Sequence, residues 1–122
     1  MKKKVLIVDD DPVVVEVVEE ILKFHSYEVT TASLGNEGLT KCKHLKPDVV
    51  IMDIMMPDMV GHQVAEEIKN DPATSHIPII FLTGVIKTEE LPEDHMIGGQ
   101  YILGKPCNSK KLISLLRNVL SH

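Results

Sequence analysis

The 122-residue chain contains no tryptophan, two tyrosines and two phenylalanines. Its core must therefore be filled by Val, Ile, Leu and Met rather than by aromatic rings. Cysteine is as scarce. Cys42 and Cys107 stand far apart and neither belongs to a C-x-x-C pair, which excludes a disulfide framework and a zinc site. No apolar run approaches membrane-spanning length. The charged N-terminal residues are not followed by the apolar stretch and small-residue cleavage site of a secretory signal. A soluble, reduced, cytoplasmic protein with no membrane partner is expected. Basic clusters are missing too. The net charge is −5, Lys2-Lys3-Lys4 reads as a solvated flank, and direct nucleic-acid binding, which needs clustered cations to release counterions, is not expected. Repeats, low-complexity stretches and linkers are also missing, so residues 1–122 read as a single domain, large enough to fold without staples.

What the sequence does hold is alternation. Val5-Leu6-Ile7-Val8 is a continuous apolar run, the pattern of a strand buried on both faces. Asp11 offers a helix N-cap and Pro12 fits the first helical position. From there Val14, Val17, Val18, Ile21 and Leu22 recur at helical spacing to about His25. Tyr27 to Ala32 predicts a second strand, Asn36 to Leu45 a second helix stopped by Pro47, and Val49-Val50-Ile51-Met52 a third strand ending at Asp53. Val64, Ala65 and Ile68 mark a third helix to about Asn70. Ile79-Ile80-Phe81-Leu82 is a fourth strand ending at Thr83. Between Gly84 and Gly99 the pattern is least regular, and Pro92 requires a helix there to be short or to begin near Leu91. Tyr101-Ile102-Leu103 is a fifth strand. Asn108 can cap a last helix with Leu112, Ile113, Leu115, Leu116 and Leu120 on its apolar face. Five strands alternating with helices predict an α/β domain, a parallel sheet covered on both faces by right-handed crossovers.

Ligands of such sheets sit outside the carboxyl ends of the strands, and those ends are polar here. The first strand runs into Asp9-Asp10-Asp11, the third into Asp53, the fourth into Thr83, and Lys105 closely follows the fifth. Converging carboxylates repel one another unless a cation is present. Their hard oxygens suit Mg²⁺, which takes few protein ligands and keeps several waters. With a hydroxyl and an ammonium beside it, such a cation can neutralise a phosphoryl group in transfer. One carboxylate could act as nucleophile and form an aspartyl phosphate. Asp11 reads as a plain helix cap. Met52, Met55, Met56 and Met59 read as adaptable packing rather than soft metal ligands, and the six histidines as surface residues.

Four segments, VLIVDDDP, VVIMDIMMPDMVG, PIIFLTG and GKP, occur in this order and together resemble the receiver domains of two-component response regulators over essentially the whole chain. The resemblance implies a flavodoxin-like, doubly wound five-stranded parallel sheet in the order 2-1-3-4-5, with helices on both faces. It implies a phosphorylation-dependent switch rather than an enzyme, catalysing only its own phosphotransfer and dephosphorylation. Asp53 resembles the phosphoacceptor. Asp9 and Asp10, with Asp53 and the Met55 backbone carbonyl, resemble the Mg²⁺ site. Thr83 and Lys105 resemble the groups that contact the phosphoryl oxygens. The Lys105-Pro106 peptide is expected to be cis. Implied partners are a sensor histidine kinase or phosphotransfer protein and an unidentified downstream protein; homodimerisation on phosphorylation is common in such domains.

The pattern is departed from at the switch. Receivers usually carry Tyr or Phe three residues before the site lysine; here that residue is Ile102. Tyr101, one place earlier, should face the other side of the strand. Cys107 stands where an aromatic commonly follows Lys-Pro. Met55 and Val85 hold the two positions that influence phosphoryl lifetime, and neither can orient water, so self-dephosphorylation should be slow. A haloacid-dehalogenase-type phosphatase is the alternative suggested by the D-x-D within residues 9–11, but it leaves Asp53 and Lys105-Pro106 without a role. A nucleotide- or flavin-binding domain is excluded: the acidic first turn, with neither G-x-G-x-x-G nor a P-loop, repels phosphates.

Overall fold

The computed structural model describes residues 2–84, 95–97, 100–105 and 108–121. Strand β1 (Lys4–Val8) leads to helix α1 (Pro12–Phe24), β2 (Glu28–Ala32), α2 (Gly35–Leu45), β3 (Val49–Asp53) and α3 (Gly61–Asn70). Then follow β4 (Ile79–Thr83), a two-residue β5 (Met96–Ile97), β6 (Gln100–Gly104) and α4 (Ser109–Leu120). The sheet order is β2-β1-β3-β4-β6-β5. All pairings are parallel except β5 with β6.

The expected order 2-1-3-4-5 is present, with β6 as the expected fifth strand, but among the described residues the sheet has six strands rather than five. The extra one pairs Met96 with Tyr101 and Ile97 with Gln100 at the edge. Two residues are too few to leave a period-2 signal; the Gly98-Gly99 dipeptide between the strands is its only sequence mark. The helix expected near Leu91, the Lys105-Pro106 peptide, Val85 and Cys107 lie outside the described residues.

The parallel strands are apolar on both faces because both are covered. Val5, Ile7, Val49, Ile51, Ile80, Leu82 and Leu103 pack against α1 and α4, which bury Val18, Leu22, Leu112 and Leu116. Leu6, Val8, Val50, Met52, Phe81 and Ile102 pack against α2 and α3, which bury Cys42, Val64 and Ile68. Each fully buried Leu or Ile contributes about 1.5–3 kcal/mol over its exposed state. The Cys42 thiol, wholly buried, is pushed up to about 11 by that burial, so it is an inert packing group. As expected, Asp11 caps α1 by accepting from Val13 N at 2.9 Å, and Asn108 caps α4 by accepting from Lys111 N at 3.1 Å.

Candidate functional site

The site is built by continuing one face of the sheet past its carboxyl edge. Side chains two apart on a strand share a face. Extending Val5 and Ile7 by two gives Asp9; extending Val49 and Ile51 gives Asp53; extending Tyr101 and Leu103 gives Lys105. Register completes the alignment. Val8 pairs with Met52, Asp53 with Leu82 and Thr83 with Gly104, so the three polar residues follow directly on paired, buried rows. Gly84 directly follows β4, with open space where a Cβ would stand.

Lys105 spans the gap. Its Nζ lies 2.9 Å from Asp9 Oδ2 and 3.2 Å from Asp53 Oδ1. Its backbone N donates to the Thr83 carbonyl at 2.7 Å. Asp9 is almost wholly buried and its Oδ1 accepts from Asp11 N at 2.9 Å. Asp9 Oδ2 has the ammonium as an ion-pair partner but no well-directed hydrogen bond. Burial acts first to lower the Lys105 pKa, but the ion pairs with Asp9 and Asp53 outweigh it and raise the ammonium above its ordinary value. Asp53 is displaced upward: burial and the Asp9 charge outweigh Lys105 and a hydrogen bond from the Met55 backbone N–H. Asp53 therefore carries its charge at a cost that a nearby cation would remove.

Asp9, Asp10 and Asp53 each place a carboxylate oxygen within 4.8 Å of the others. Three hard carboxylate oxygens drawn this close, with Asp9 buried, fit a divalent cation of the Mg²⁺ type. A cleft of about 360 Å³ opens beside them, bordered by Asp10, Glu16, Glu19 and Glu37, with Lys41 ion-paired to Glu37 at 3.0 Å. Its net negative charge raises the local concentration of cations.

The structure thus brings together Asp9, Asp10, Asp53 and Lys105. Thr83 sits on the neighbouring strand, 6% exposed, on the face of Phe81 and Ile102. Met55 has its side chain 65% exposed and Met56 and Met52 are buried, as packing roles require. Tyr101 packs on the α1–α4 face and Ile102 on the other, as the alternation predicts. The histidines depart from expectation. His44, His62 and His76 are exposed, but His25 and His95 are half-buried, and His25 Nδ1 lies 2.9 Å from the Ile21 carbonyl.

One supporting residue, inside the segment VVIMDIMMPDMVG, was given no role from the sequence. Asp58, in the loop after Asp53, accepts from Gly35 N and Asn36 N at 2.8 and 2.9 Å. The available signal was indirect: α2 begins at Leu34-Gly35 with no polar side chain to cap it.

The response regulator receiver domain model matches residues 5–117. Similar proteins include ycf27 of Guillardia theta, 40% identical over 98% of this chain and 46% of that protein. Protein PilH of Pseudomonas aeruginosa is 32% identical over 97% of this chain and 98% of its own length. The chain spans about half or less of several relatives it matches. Among solved structures, the chemotaxis response regulator CheY4 of Vibrio cholerae superposes with a TM-score of 0.84 at 33% identity, covering 98% of this chain and 100% of that one.

Proposed function

The chain belongs to the response regulator receiver domain family, and on that premise we propose that it is a signalling switch phosphorylated on Asp53. Receiver domains of two-component systems are signalling modules rather than enzymes acting on separate substrates. The observation that carries the reading is the convergence of Asp9, Asp10 and Asp53 with Lys105 across the site.

Asp53 is the nucleophile. Its carboxylate oxygen attacks the phosphorus of a phosphohistidine on a histidine kinase or phosphotransfer protein. The P–O bond forms as the P–N bond breaks, and the imidazole leaves. Asp9, Asp10, Asp53 and the Met55 carbonyl would hold Mg²⁺, which supplies charge neutralisation for the phosphoryl oxygens when bound. The Lys105 ammonium moves from the Asp9–Asp53 pair to a phosphoryl oxygen, and the Thr83 hydroxyl donates to another. Output is altered binding of a downstream protein, with self-association as one form it can take, in the cytoplasm and without direct nucleic-acid contact by these residues.

Acetyl phosphate with Mg²⁺ followed by intact-mass measurement tests this. Wild type should gain one phosphoryl group and Asp53→Asn none. An adduct that survives Asp53→Asn, or its absence from wild type, would remove the assignment.

A further inference from the structure

Helix α2 starts without a cap of its own. Its N-cap residue is Leu34, which makes no side-chain cap, yet the first N–H groups of a helix need acceptors. They find them on a different segment. Asp58 Oδ1 accepts from Gly35 N at 2.8 Å, and Oδ2 from Asn36 N at 2.9 Å. The approach is close: a Cβ on Gly35 would stand 2.9 Å from the Met59 Cβ, so a larger residue would push the two segments apart.

Asp58 lies at the tip of the loop that leaves Asp53. That loop is closed on itself: Met56 N donates to the Met59 carbonyl at 3.2 Å, Met55 bridges Val60, and Gly61 N donates to the Ile54 carbonyl at 2.6 Å. Met55 stands two residues beyond Asp53, and its backbone is held by the bridge to Val60. A displacement of the tip is therefore passed to Met55, the residue whose carbonyl the preceding reading gives to the cation.

We infer that Asp58 is a positioning residue, a helix cap supplied from the phosphoacceptor loop that fixes Met55 for divalent-cation binding by tying that loop to the start of α2. The inference rests on the receiver reading of Asp53 and its metal. It makes the start of α2 part of the machinery of the site through its backbone N–H groups.

The test separates capping from positioning. Mn²⁺ affinity is measured by electron paramagnetic resonance in wild type, Asp58→Ala, Asp58→Asn and the double variant Asp58→Ala/Leu34→Ser. The uncharged serine restores a cap to α2 within its own segment but no tether to the loop. Asp58→Ala should weaken Mn²⁺ binding about tenfold, the scale of a lost supporting contact, and move the Met55 amide resonance. The double variant should recover thermal stability while affinity and the Met55 resonance stay altered. Asn loses the same charge as Ala but keeps an acceptor, so its loss should be smaller. Wild-type affinity in Asp58→Ala, recovery of affinity in the double variant, or equal losses in Asn and Ala that salt abolishes would each overturn the inference. Formation of the acetyl-phosphate adduct by wild type keeps the receiver reading standing in those cases. A wild type that neither binds Mn²⁺ nor forms the adduct overturns both.

Discussion

Asp53 illustrates what the site asks of a single residue. Its side chain is 12% exposed, and burial with the neighbouring Asp9 charge makes ionisation harder than in water despite Lys105. A neutral isostere should relieve that conflict. Asp53→Asn is expected to raise the thermal midpoint in EDTA by a few degrees, the shift that ~1 kcal/mol makes in a domain of this size. Differential scanning calorimetry reads it directly, and a lowered midpoint would mean that the lost Lys105 contact outweighs the repulsion. Met55 concerns the lifetime of the product. Its exposed thioether cannot orient an attacking water, nor can Val85. The Met55→Asn/Val85→Glu variant should shorten the aspartyl-phosphate half-life by about tenfold or more, a modest share of what a positioned polar group contributes to proton transfer. Loss of phosphoryl followed by intact mass decides it; an unchanged half-life removes the idea.

Helix α2 carries the clearest conflicts between local preference and packing. Gly38 sits in its middle, where alanine would be favoured by ~1 kcal/mol on propensity alone. A Cβ there would lie 2.7 and 2.8 Å from the two methyls of Val8, a stiff, buried strand residue. Overpacking of this kind costs about 1–3 kcal/mol, so Gly38→Ala should destabilise in urea and Gly38→Ala/Val8→Ala should recover part of the loss. The Asp58 cap adds a pH dependence. Its hydrogen bonds from Asn36 and Gly35 hold the carboxyl below the usual carboxylate range. A carboxyl lowered by folding contributes stability that is complete above the unfolded value, about 4, and is lost as pH falls through the folded one. The stability difference between wild type and Asp58→Asn should be present at neutral pH and fade in acid; a difference that persists there would point away from the ionised cap. These elements also mark how far the sequence can be read. The rows ending at Asp9, Asp53 and Lys105 were legible because strand period and parallel pairing carry local patterns straight to the sheet edge. The caps at Asp11 and Asn108 were legible because donor and acceptor lie within one turn. The Asp58 cap was not, since it joins residues over 20 apart through a tertiary approach. The β5 edge strand was not, being too short for any period. Likewise His25 was assigned to the surface because one residue at a helix end has no neighbours from which burial can be judged.

At the scale of the molecule, one sheet edge concentrates charge that the rest of the fold does not balance. The chain has a net charge of −5, and its site gathers three carboxylates against one ammonium. Unfolding separates these groups, so their mutual repulsion opposes folding and a bound divalent cation favours it. A ligand that binds the folded state at one hundred times its dissociation constant stabilises by ~2.7 kcal/mol, several degrees in a protein of this length. Mg²⁺ should therefore raise the midpoint of wild type by that order and EDTA should reverse the gain. General screening by salt would act on all charges, so NaCl at matched ionic strength is the control and should give a much smaller rise. Asp10→Asn leaves the buried Asp9–Lys105–Asp53 contacts in place while removing an exposed carboxylate of the proposed cation site, and it should lose most of the Mg²⁺ response without losing the fold. If NaCl matches Mg²⁺, or Asp10→Asn responds as wild type does, the acidic edge is only a screened surface and the metal assignment fails with it.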